Sequence, residues 1–296
     1  MLMDYLKAIV LGIVQGATEF LPVSSSGHLS VFQHFMGMSG EGSLQLTVFL
    51  HIGTLVAVIA VYYKTFWKLL KEIGKTIADV FTRKLDTKHV SDDRHMLYMM
   101  VISCVPLLFL LIPVGGGRNL KDLVEGLAND TDILVEGFCF LITAVLLLAG
   151  SHVARTRKNT RPAVEGKDAW WVGVAQLFAA AFPGISRSGS TISTGILFGV
   201  EKNYMVEYSF VLGTPAILAA AVLEIKDALE GGPMAIGLGP ILVGIVVAAV
   251  VGVAAIKLLE WLVSKDKFQF FGYYCLILSA AVITLATLER LGILHF

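Results

Sequence analysis

The chain has 296 residues, a mean hydropathy of +0.76, 56% hydrophobic residues and only 16% charged residues. A soluble domain of this length carries more charge and less apolar surface, so the composition predicts an integral membrane protein. The formal net charge is zero, and nothing in it suggests binding to nucleic acid. The three cysteines lie within apolar runs without a CxxC spacing, which argues against a zinc site or a disulfide framework.

The first apolar stretch, residues 5–21, is too short to cross a bilayer comfortably. As a helix it would measure about 25 Å, whereas the hydrocarbon core of a membrane is about 30 Å thick. Pro22 interrupts it, the segment from Val23 to Gly27 is irregular by composition, and a second short apolar piece covers about residues 29–37. Two short helices joined by a polar elbow predict a re-entrant hairpin, which is tolerated where the freed backbone is buried in protein or lines a cavity.

Six longer apolar runs predict transmembrane helices at about residues 44–63, 95–113, 133–150, 204–224, 236–262 and 269–288. A second polar elbow, residues 182–191, lies between the third and fourth runs. Overlaid without a gap, the two elbows match Gln15 with Gln176, Pro22 with Pro183 and Ser25 with Ser186. Because three spans separate the elbows, the two halves enter the membrane from opposite sides, which predicts an inverted-topology repeat.

The predicted fold is therefore an all-α integral membrane protein with six transmembrane helices and two re-entrant helical hairpins. Residues 1–296 form a single membrane domain in this interpretation. The first repeat covers about residues 1–113, a linking span covers about 133–150, and the second repeat covers about 165–290.

Lysine and arginine are concentrated in alternate loops. Eight lie between Lys64 and Arg94 and five between Arg155 and Lys167, whereas only two lie in residues 113–132. By the positive-inside rule the basic loops are cytoplasmic, so both termini and the mouth of the first elbow are expected on the outer face. Apolar residues recur with a helical period over residues 66–81, which favours either a helix lying on the anionic inner leaflet or one packed on other loops.

The first elbow, QGATEFLPVSSSGH (residues 15–28), combines groups that are expensive to place in lipid. Gln15 and Glu19 share a helix face and offer oxygens that suit a hard cation together with phosphate and water. The serines and glycine of residues 24–27 come at the start of the second short helix, where backbone N–H groups favour an anion. His28 follows Ser25 by three residues, so it is predicted to reach that hydroxyl or a leaving oxygen.

The second elbow, QLFAAAFPGISRSGST (residues 176–191), contains one arginine within an apolar stretch. The planar fork of Arg187 suits bidentate contact with phosphate, and Gly184 and Gly189 allow a ligand to approach the backbone closely. In the plainer interpretation Glu19 and Arg187 form a structural ion pair and the serines are interhelical hydrogen bonders. Only structural roles are predicted for His34, His51, His152 and Glu207.

QGATEFLPVSSSGH and PGISRSGST closely resemble the two signature motifs of the bacitracin-resistance type undecaprenyl pyrophosphate phosphatases, and the resemblance covers essentially the whole chain. It implies hydrolysis of undecaprenyl pyrophosphate to the monophosphate carrier and inorganic phosphate at the outer face of the bacterial cytoplasmic membrane. It also implies a divalent cation, Mg²⁺ or Ca²⁺, and a polyprenyl pyrophosphate lipid and the bilayer as partners. Assembly as a homo-oligomer is left open.

By analogy with this family, the functional core would be Glu19, Ser25, His28 and Arg187. The further substrate-binding residues would be Gln15, Ser24, Ser26, Gly27, Ser186, Ser188 and Thr191, and the metal ligands would be Glu19 and Gln15. Family members carry Glu or Gln at the position of Gln15, and with Gln a metal should depend more on Glu19 and on the substrate phosphates. Whether Ser25 attacks covalently or positions a water stays open.

Two other classes of protein are alternatives. A lipid or solute transporter would share the inverted repeat and the intramembrane carboxylate, but it would move its substrate without releasing phosphate. A phosphatidic-acid-phosphatase type enzyme needs a histidine about six residues after the Ser-Arg pair. Here Ser186 and Arg187 are followed by SGSTISTG, which argues against that class.

Overall fold

The structure, a computed structural model, describes residues 2–36, 41–84, 90–115, 118–120, 133–182, 184–230 and 237–293. The described part is almost entirely helical, as predicted. Its helices are α1 (Leu2–Phe20), α2 (Ser25–Phe35), α3 (Glu41–Val61), α4 (Tyr63–Phe81), α5 (Asp92–Cys104), α6 (Leu134–Thr156), α7 (Gly166–Ala181), α8 (Arg187–Leu197), α9 (Lys202–Glu230), α10 (Leu238–Ser264) and α11 (Gln269–Arg290). A 3₁₀ helix, Val105–Leu111, continues α5.

Four helical segments of the described part are long and apolar enough to cross a membrane: Asp92–Leu111, Leu134–Thr156, Leu238–Ser264 and Gln269–Arg290. A fifth candidate is the pair Leu46–Val61 and Tyr63–Phe81, which is bent by 86°. The run predicted at 204–224 lies within α9, a 29-residue helix that continues through Pro215. These four or five apolar spans confirm that the chain is an integral membrane protein.

One short element departs from the all-α prediction. Strand β1 (Pro113–Gly115) pairs in antiparallel fashion with β2 (Arg118–Asn119), and Pro113 lies opposite Asn119. Gly115 has a φ of 96°, a left-handed conformation that glycine adopts readily. The chain can therefore reverse directly after the apolar segment ends.

Helix α10 runs beside α1 in the same direction. The hydroxyl of Tyr5 lies against Gly239 near the start of both helices, and the ring of Phe20 lies against Gly252 further along. Between them, a Cβ on Gly16 would come within 2.6 Å of the carbonyl oxygen of Ala248. Glycine thus allows α1 to pack directly on the backbone of α10, which fixes the helix that leads into the first elbow.

Several helix ends that carry or adjoin basic residues lie together at one end of the molecule. Arg155 at the end of α6 donates to the backbone oxygen of Asp266, 3.1 Å away, and Lys202 at the start of α9 pairs with the same residue. Tyr62, between α3 and α4, donates to Glu260 near the end of α10 at 2.6 Å. The loops that carry most of the lysines and arginines therefore share one end, which we call the basic end.

Helix α4 is the amphipathic helix expected from residues 66–81. Arg94 holds one face of α4 to α5, with its Nε 3.1 Å from Glu72 and its Nη2 2.8 Å from Asp79. The other face exposes large apolar side chains: Tyr63, Trp67, Leu70, Ile73, Ile77, Val80 and Phe81. This uncovered stripe favours the membrane-surface interpretation over packing on other loops.

Candidate active site

The short helices α2 and α8, which follow the two elbows, begin in the same way. Ser24 precedes α2, and its Oγ accepts a hydrogen bond from the backbone N–H of Gly27 at 3.2 Å. Ser186 precedes α8, and its Oγ accepts from Gly189 at 3.0 Å. These N-caps match Ser24 with Ser186, whereas the gapless overlay of the sequence matched Ser25 with Ser186. The structural correspondence between α2 and α8 is therefore offset by one residue from the gapless sequence overlay.

The irregular part of the first elbow is shorter than predicted. Helix α2 starts at Ser25, so residues 25–27 form its first turn, whereas composition had suggested an irregular segment from Val23 to Gly27. The difference arises because the Ser24 side chain satisfies a free N–H of the first turn, so that serines poor in helix propensity can still begin a helix. Pro183 of the second elbow lies outside the described residues.

Glu19, near the end of α1, is the centre of the site. Its side chain is only 6% exposed. Oε1 accepts a hydrogen bond from Nη2 of Arg187 at 2.9 Å, and Oε2 accepts from Ser25 Oγ at 2.7 Å and from Gln15 Nε2 at 3.1 Å. In the register set by the caps, Ser25 and Arg187 are the equivalent first residues of α2 and α8. Both short helices thus present their first side chain to one carboxylate.

The carboxylate faces a cavity of about 440 Å³. Seven of the residues predicted from the sequence line it: Glu19, Ser24, Ser25, Ser26, Ser186, Arg187 and Ser188. The remaining wall is mostly apolar and includes Val48, Ala179, Ala180, Ala216, Ile217 and Ala221. One cavity therefore offers charged and hydroxyl groups beside an apolar surface.

The two elbows are in direct contact. The backbone N–H of Gly184 donates to Ser26 Oγ at 3.1 Å. Gly184 has a φ of 106°, where any other residue would be strained. Gly189 lies close to the carbonyl oxygen of Pro22, which a Cβ would approach to 3.2 Å. The structure therefore brings the two sequence motifs together as two halves of one site.

Arg187 reaches Glu19 by passing over a glycine of α9. A Cβ on Gly213 would lie 1.7 Å from Nη1 of Arg187, so no larger residue fits there without moving the guanidinium. Nη1 also lies 3.4 Å from the backbone oxygen of Ser209. Gly213 belongs to a Gly-Thr pair that recurs at Gly53 and Thr54 in the other half of the sequence.

His28 forms no hydrogen bond with Ser25 in the described structure, so of the two partners expected from their spacing, the Ser25 hydroxyl and a leaving oxygen, the first is not engaged. Its Nδ1 lies 2.7 Å from the backbone oxygen of Ser24, and its Nε2 lies 2.7 Å from the hydroxyl of Tyr274 on α11. The ring stacks on Tyr274 at 5.7 Å and meets the edge of Phe140 at 5.2 Å. A separation of three residues gives neighbouring positions on a helix but does not fix where the side chains point. Ser25 donates to Glu19 instead.

Three of the predicted binding residues contact residues of the site without lining the cavity themselves. Gln15 is fully buried and donates to Glu19. Gly27 lies against the ring of Phe140, which a Cβ would approach to 2.8 Å. Thr191 Oγ1 donates to the backbone oxygen of Arg187 at 2.9 Å. None of the three is among the described residues that line the cavity.

His51 is a cavity residue with a titratable side chain that the sequence analysis did not assign to the site. Its Nδ1 lies 2.9 Å from the backbone oxygen of Thr47, and its Nε2 lies 3.8 Å from Glu19 Oε2. Its side chain is 31% exposed. The signal in the sequence was its position two residues before the recurring Gly-Thr pair.

Gln15 and Glu19 suit a divalent cation only in part. Oε1 of Gln15 is buried without a hydrogen-bond partner in the described part of the chain, so it can accept a ligand. Within the same residues, no group of three or more histidine, cysteine or acidic side chains is arranged to hold a metal. Mg²⁺ is commonly held by one or two protein oxygens together with substrate phosphates. Glu19 lines the cavity whereas Gln15 does not, so of the two only Glu19 is placed to share a cation with a phosphate ligand bound there.

Comparison with known proteins assigns the chain to a family. Residues 8–281 match the model of the family described as "Bacitracin resistance protein BacA". The undecaprenyl-diphosphatase of Alkaliphilus metalliredigens is 38% identical over 287 residues, which cover 97% of this chain and 100% of that protein. Proteins with the same name from Parabacteroides distasonis and Halothermothrix orenii are 35% and 34% identical, and each match covers 96% of this chain and 98% or 99% of the relative. The chain therefore belongs to the BacA family of bacitracin resistance proteins.

Proposed function

We propose that this chain is an undecaprenyl-diphosphatase, a membrane hydrolase that converts undecaprenyl pyrophosphate to undecaprenyl phosphate and inorganic phosphate. Its family and the names of its relatives support this activity. The product is the lipid carrier of cell-wall synthesis, and the family name links its recycling to bacitracin resistance. The observation that carries the proposal is the meeting of Glu19, Ser25 and Arg187 in one cavity.

The cavity suits the two chemically different parts of the lipid substrate. Arg187, Ser26 and Ser188 lie on its polar side, where hydroxyl groups and a guanidinium can bind the pyrophosphate. Val48, Ile217 and the cavity-lining alanines provide an apolar wall for the first part of the polyprenyl chain. The positive ends of α2 and α8 also point toward this region and favour an anion.

The reaction begins at Ser25 in our proposal. Its Oγ attacks the terminal phosphorus while its proton passes to Oε2 of Glu19, which already accepts that hydrogen bond. The phosphoanhydride bond breaks, and undecaprenyl phosphate leaves. Water then cleaves the phosphoserine, which releases inorganic phosphate and restores the Ser25 hydroxyl. In the competing route Ser25 only binds the phosphate and water attacks directly.

Arg187 binds the pyrophosphate and stabilises the charge that develops on the phosphoryl oxygens. Phosphoryl transfer depends mostly on positioning and on electrostatic stabilisation of this kind. The contact between Arg187 and Glu19 also keeps a carboxylate stable inside a membrane protein. A divalent cation, Mg²⁺ or Ca²⁺, would be held mainly by Glu19, with the buried Oε1 of Gln15 as the second expected ligand, and would neutralise phosphate charge.

We further propose the six-span inverted repeat with two re-entrant hairpins. Helix α1 starts beside the start of α10, whereas the end of α10 lies at the basic end. Helix α7 starts near the basic end, where Asp168 pairs with Arg161. The helices that lead into the two elbows thus start at opposite ends of the molecule, which supports entry from opposite membrane faces.

The basic end would face the cytoplasm in a bacterial cytoplasmic membrane. His51 of the cavity precedes the end of α3 by ten residues, or about 15 Å of helix. His51 is equally far from the start of α3, so the cavity lies near the middle of this helix, and its opening to the outer face is proposed from the loop charges. Single cysteines at Asn119 and Arg161 test the orientation by labelling with a membrane-impermeant maleimide. We expect Asn119→Cys to react from outside and Arg161→Cys only after permeabilisation, and the reverse pattern would overturn the orientation.

The activity is tested by phosphate release from a polyprenyl pyrophosphate by the purified protein, with and without EDTA. We expect release that requires the divalent cation and that is abolished in Glu19→Gln, because this change removes the carboxylate to which Ser25 donates. Release that survives complete chelation would refute the metal requirement. Transport of the lipid without phosphate release would instead indicate the transporter class.

A further inference from the structure

The contacts of His28 connect the first elbow to a distant helix. Tyr274 lies on α11, 246 residues further along the chain, and its hydroxyl is 2.7 Å from Nε2 of His28. The two rings are nearly parallel, with an interplanar angle of 9°. On its other side the imidazole has Nδ1 2.7 Å from the backbone oxygen of Ser24. Both ring nitrogens are therefore engaged away from the reacting groups.

These two contacts define the protonation of the neutral ring. A carbonyl oxygen can only accept, so Nδ1 must carry the proton that it donates to Ser24. Nε2 is then an acceptor, and the hydroxyl of Tyr274 is its donor. Loss of that donor would free His28 to change tautomer or to rotate, and either change breaks the bond to Ser24.

The carbonyl that His28 holds belongs to a residue with an unusual conformation. Ser24 has a φ of 73°, in the left-handed region that serine seldom adopts. Such a conformation persists only where several contacts determine it. The Ser24 carbonyl accepts from His28 Nδ1 and, at 3.2 Å, from the backbone N–H of His28, and the Ser24 hydroxyl accepts from the N–H of Gly27 and lies 3.4 Å from Ser26 Oγ. The imidazole bond is the one of these that depends on a side chain held by a distant helix. The next residue is Ser25, so the geometry of Ser24 sets the direction of the Ser25 hydroxyl.

We propose that Tyr274 is a positioning residue for the hydrolysis, acting through His28 and Ser24 on the orientation of Ser25. In this arrangement His28 braces the elbow and does not accept the proton of Ser25. The inference rests on the proposed phosphatase function. It assigns a reaction-related role to a tyrosine of α11 that neither sequence motif contains.

The variant Tyr274→Phe removes only the hydroxyl and keeps the ring that stacks on His28. We expect kcat for polyprenyl pyrophosphate to fall about five-fold, the effect of one hydrogen bond, with KM and the melting temperature unchanged. Tyr273→Phe is the matched control, because Tyr273 is 51% exposed on the same helix and no side-chain hydrogen bond of it is found in the described structure. It should retain wild-type kcat.

A second pair of variants tests whether His28 positions Ser24 or acts as the base for Ser25. In His28→Asn the side-chain amide can still donate to Ser24 from the position of Nδ1 but cannot reach Tyr274, whereas His28→Ala loses both contacts. We expect His28→Asn to keep at least about ten-fold more activity than His28→Ala. Adding Tyr274→Phe to His28→Asn should change nothing further, because the contact that links the two positions is already absent.

Each result bears on the proposal. Equal kcat in Tyr274→Phe and Tyr273→Phe would overturn it, as would a His28→Asn variant as inactive as His28→Ala. A further loss of kcat on adding Tyr274→Phe to His28→Asn would also overturn it, because Tyr274 would then act by another path. If the wild-type protein itself released no phosphate, the phosphatase function would fail instead, so the two failures are distinguishable.

Discussion

Replacing Gly213 by alanine should displace Arg187 without removing any group that we place in the chemistry. The new Cβ would lie 1.7 Å from Nη1 of Arg187, whereas side-chain Cβ atoms essentially never come closer than 3.0 Å to another atom. The guanidinium must therefore move by about 1.3 Å or more, and its 2.9 Å contact with Glu19 is disrupted. A misplacement of about 1 Å at a reacting centre can cost about 100-fold in rate, or roughly 2.7 kcal/mol.

The assay is phosphate release from polyprenyl pyrophosphate at saturating lipid, together with a thermal melt in the same detergent. We expect Gly213→Ala to lose about two orders of magnitude in kcat while still folding, because the displaced atoms belong to the end of a flexible side chain. Gly74→Ala is the matched control, since a Cβ at Gly74 would meet nothing within 4 Å. Near-normal kcat in Gly213→Ala would show that the position of Arg187 over Gly213 is irrelevant to turnover.

Three further changes test neighbouring parts of the interpretation. Arg187→Lys keeps the positive charge but loses the planar fork, so it should retain a little phosphate release whereas Arg187→Ala retains almost none, and equal rates in the two would argue against bidentate binding. Ser25→Ala should abolish turnover, and the wild type should yield a phosphoserine that can be trapped; a partial loss with no trappable species would favour direct attack by water. With Trp67 as the sole tryptophan, lipids brominated near the headgroup should quench its emission in vesicles, and emission insensitive to the bromine would place α4 away from the bilayer.

The general form of the site could be predicted from sequence because each signal is local. Proline breaks, short apolar pieces and polar side chains at membrane depth indicated both elbows, and Glu19, Ser25 and Arg187 were among the residues selected. The structure brings these three into hydrogen-bond contact. Polar groups are costly in lipid and must find partners, so their clustering in two related stretches already predicted that the stretches meet.

The sequence could not show in which direction a side chain points or which distant residue it contacts. The three-residue spacing of Ser25 and His28 predicted a shared helix face, but the imidazole turns back to the carbonyl of Ser24 and out to Tyr274. That tyrosine lies 246 residues away, on a helix that the local pattern identifies only as apolar. His51 was assigned a structural role for the same reason, because its proximity to Glu19 depends on how α3 packs beside α1.

The two elbows share a framework but differ in the residues that carry charge. The caps at Ser24 and Ser186 make Ser25 and Arg187 equivalent, so one half supplies a hydroxyl where the other supplies a guanidinium. Each helix N-terminus adds about half a positive charge at the site. Together with Arg187 these outweigh the single negative charge of Glu19, and the net positive potential favours a pyrophosphate. A second carboxylate in the other elbow would cancel that excess, which gives a physical reason for the two halves to differ.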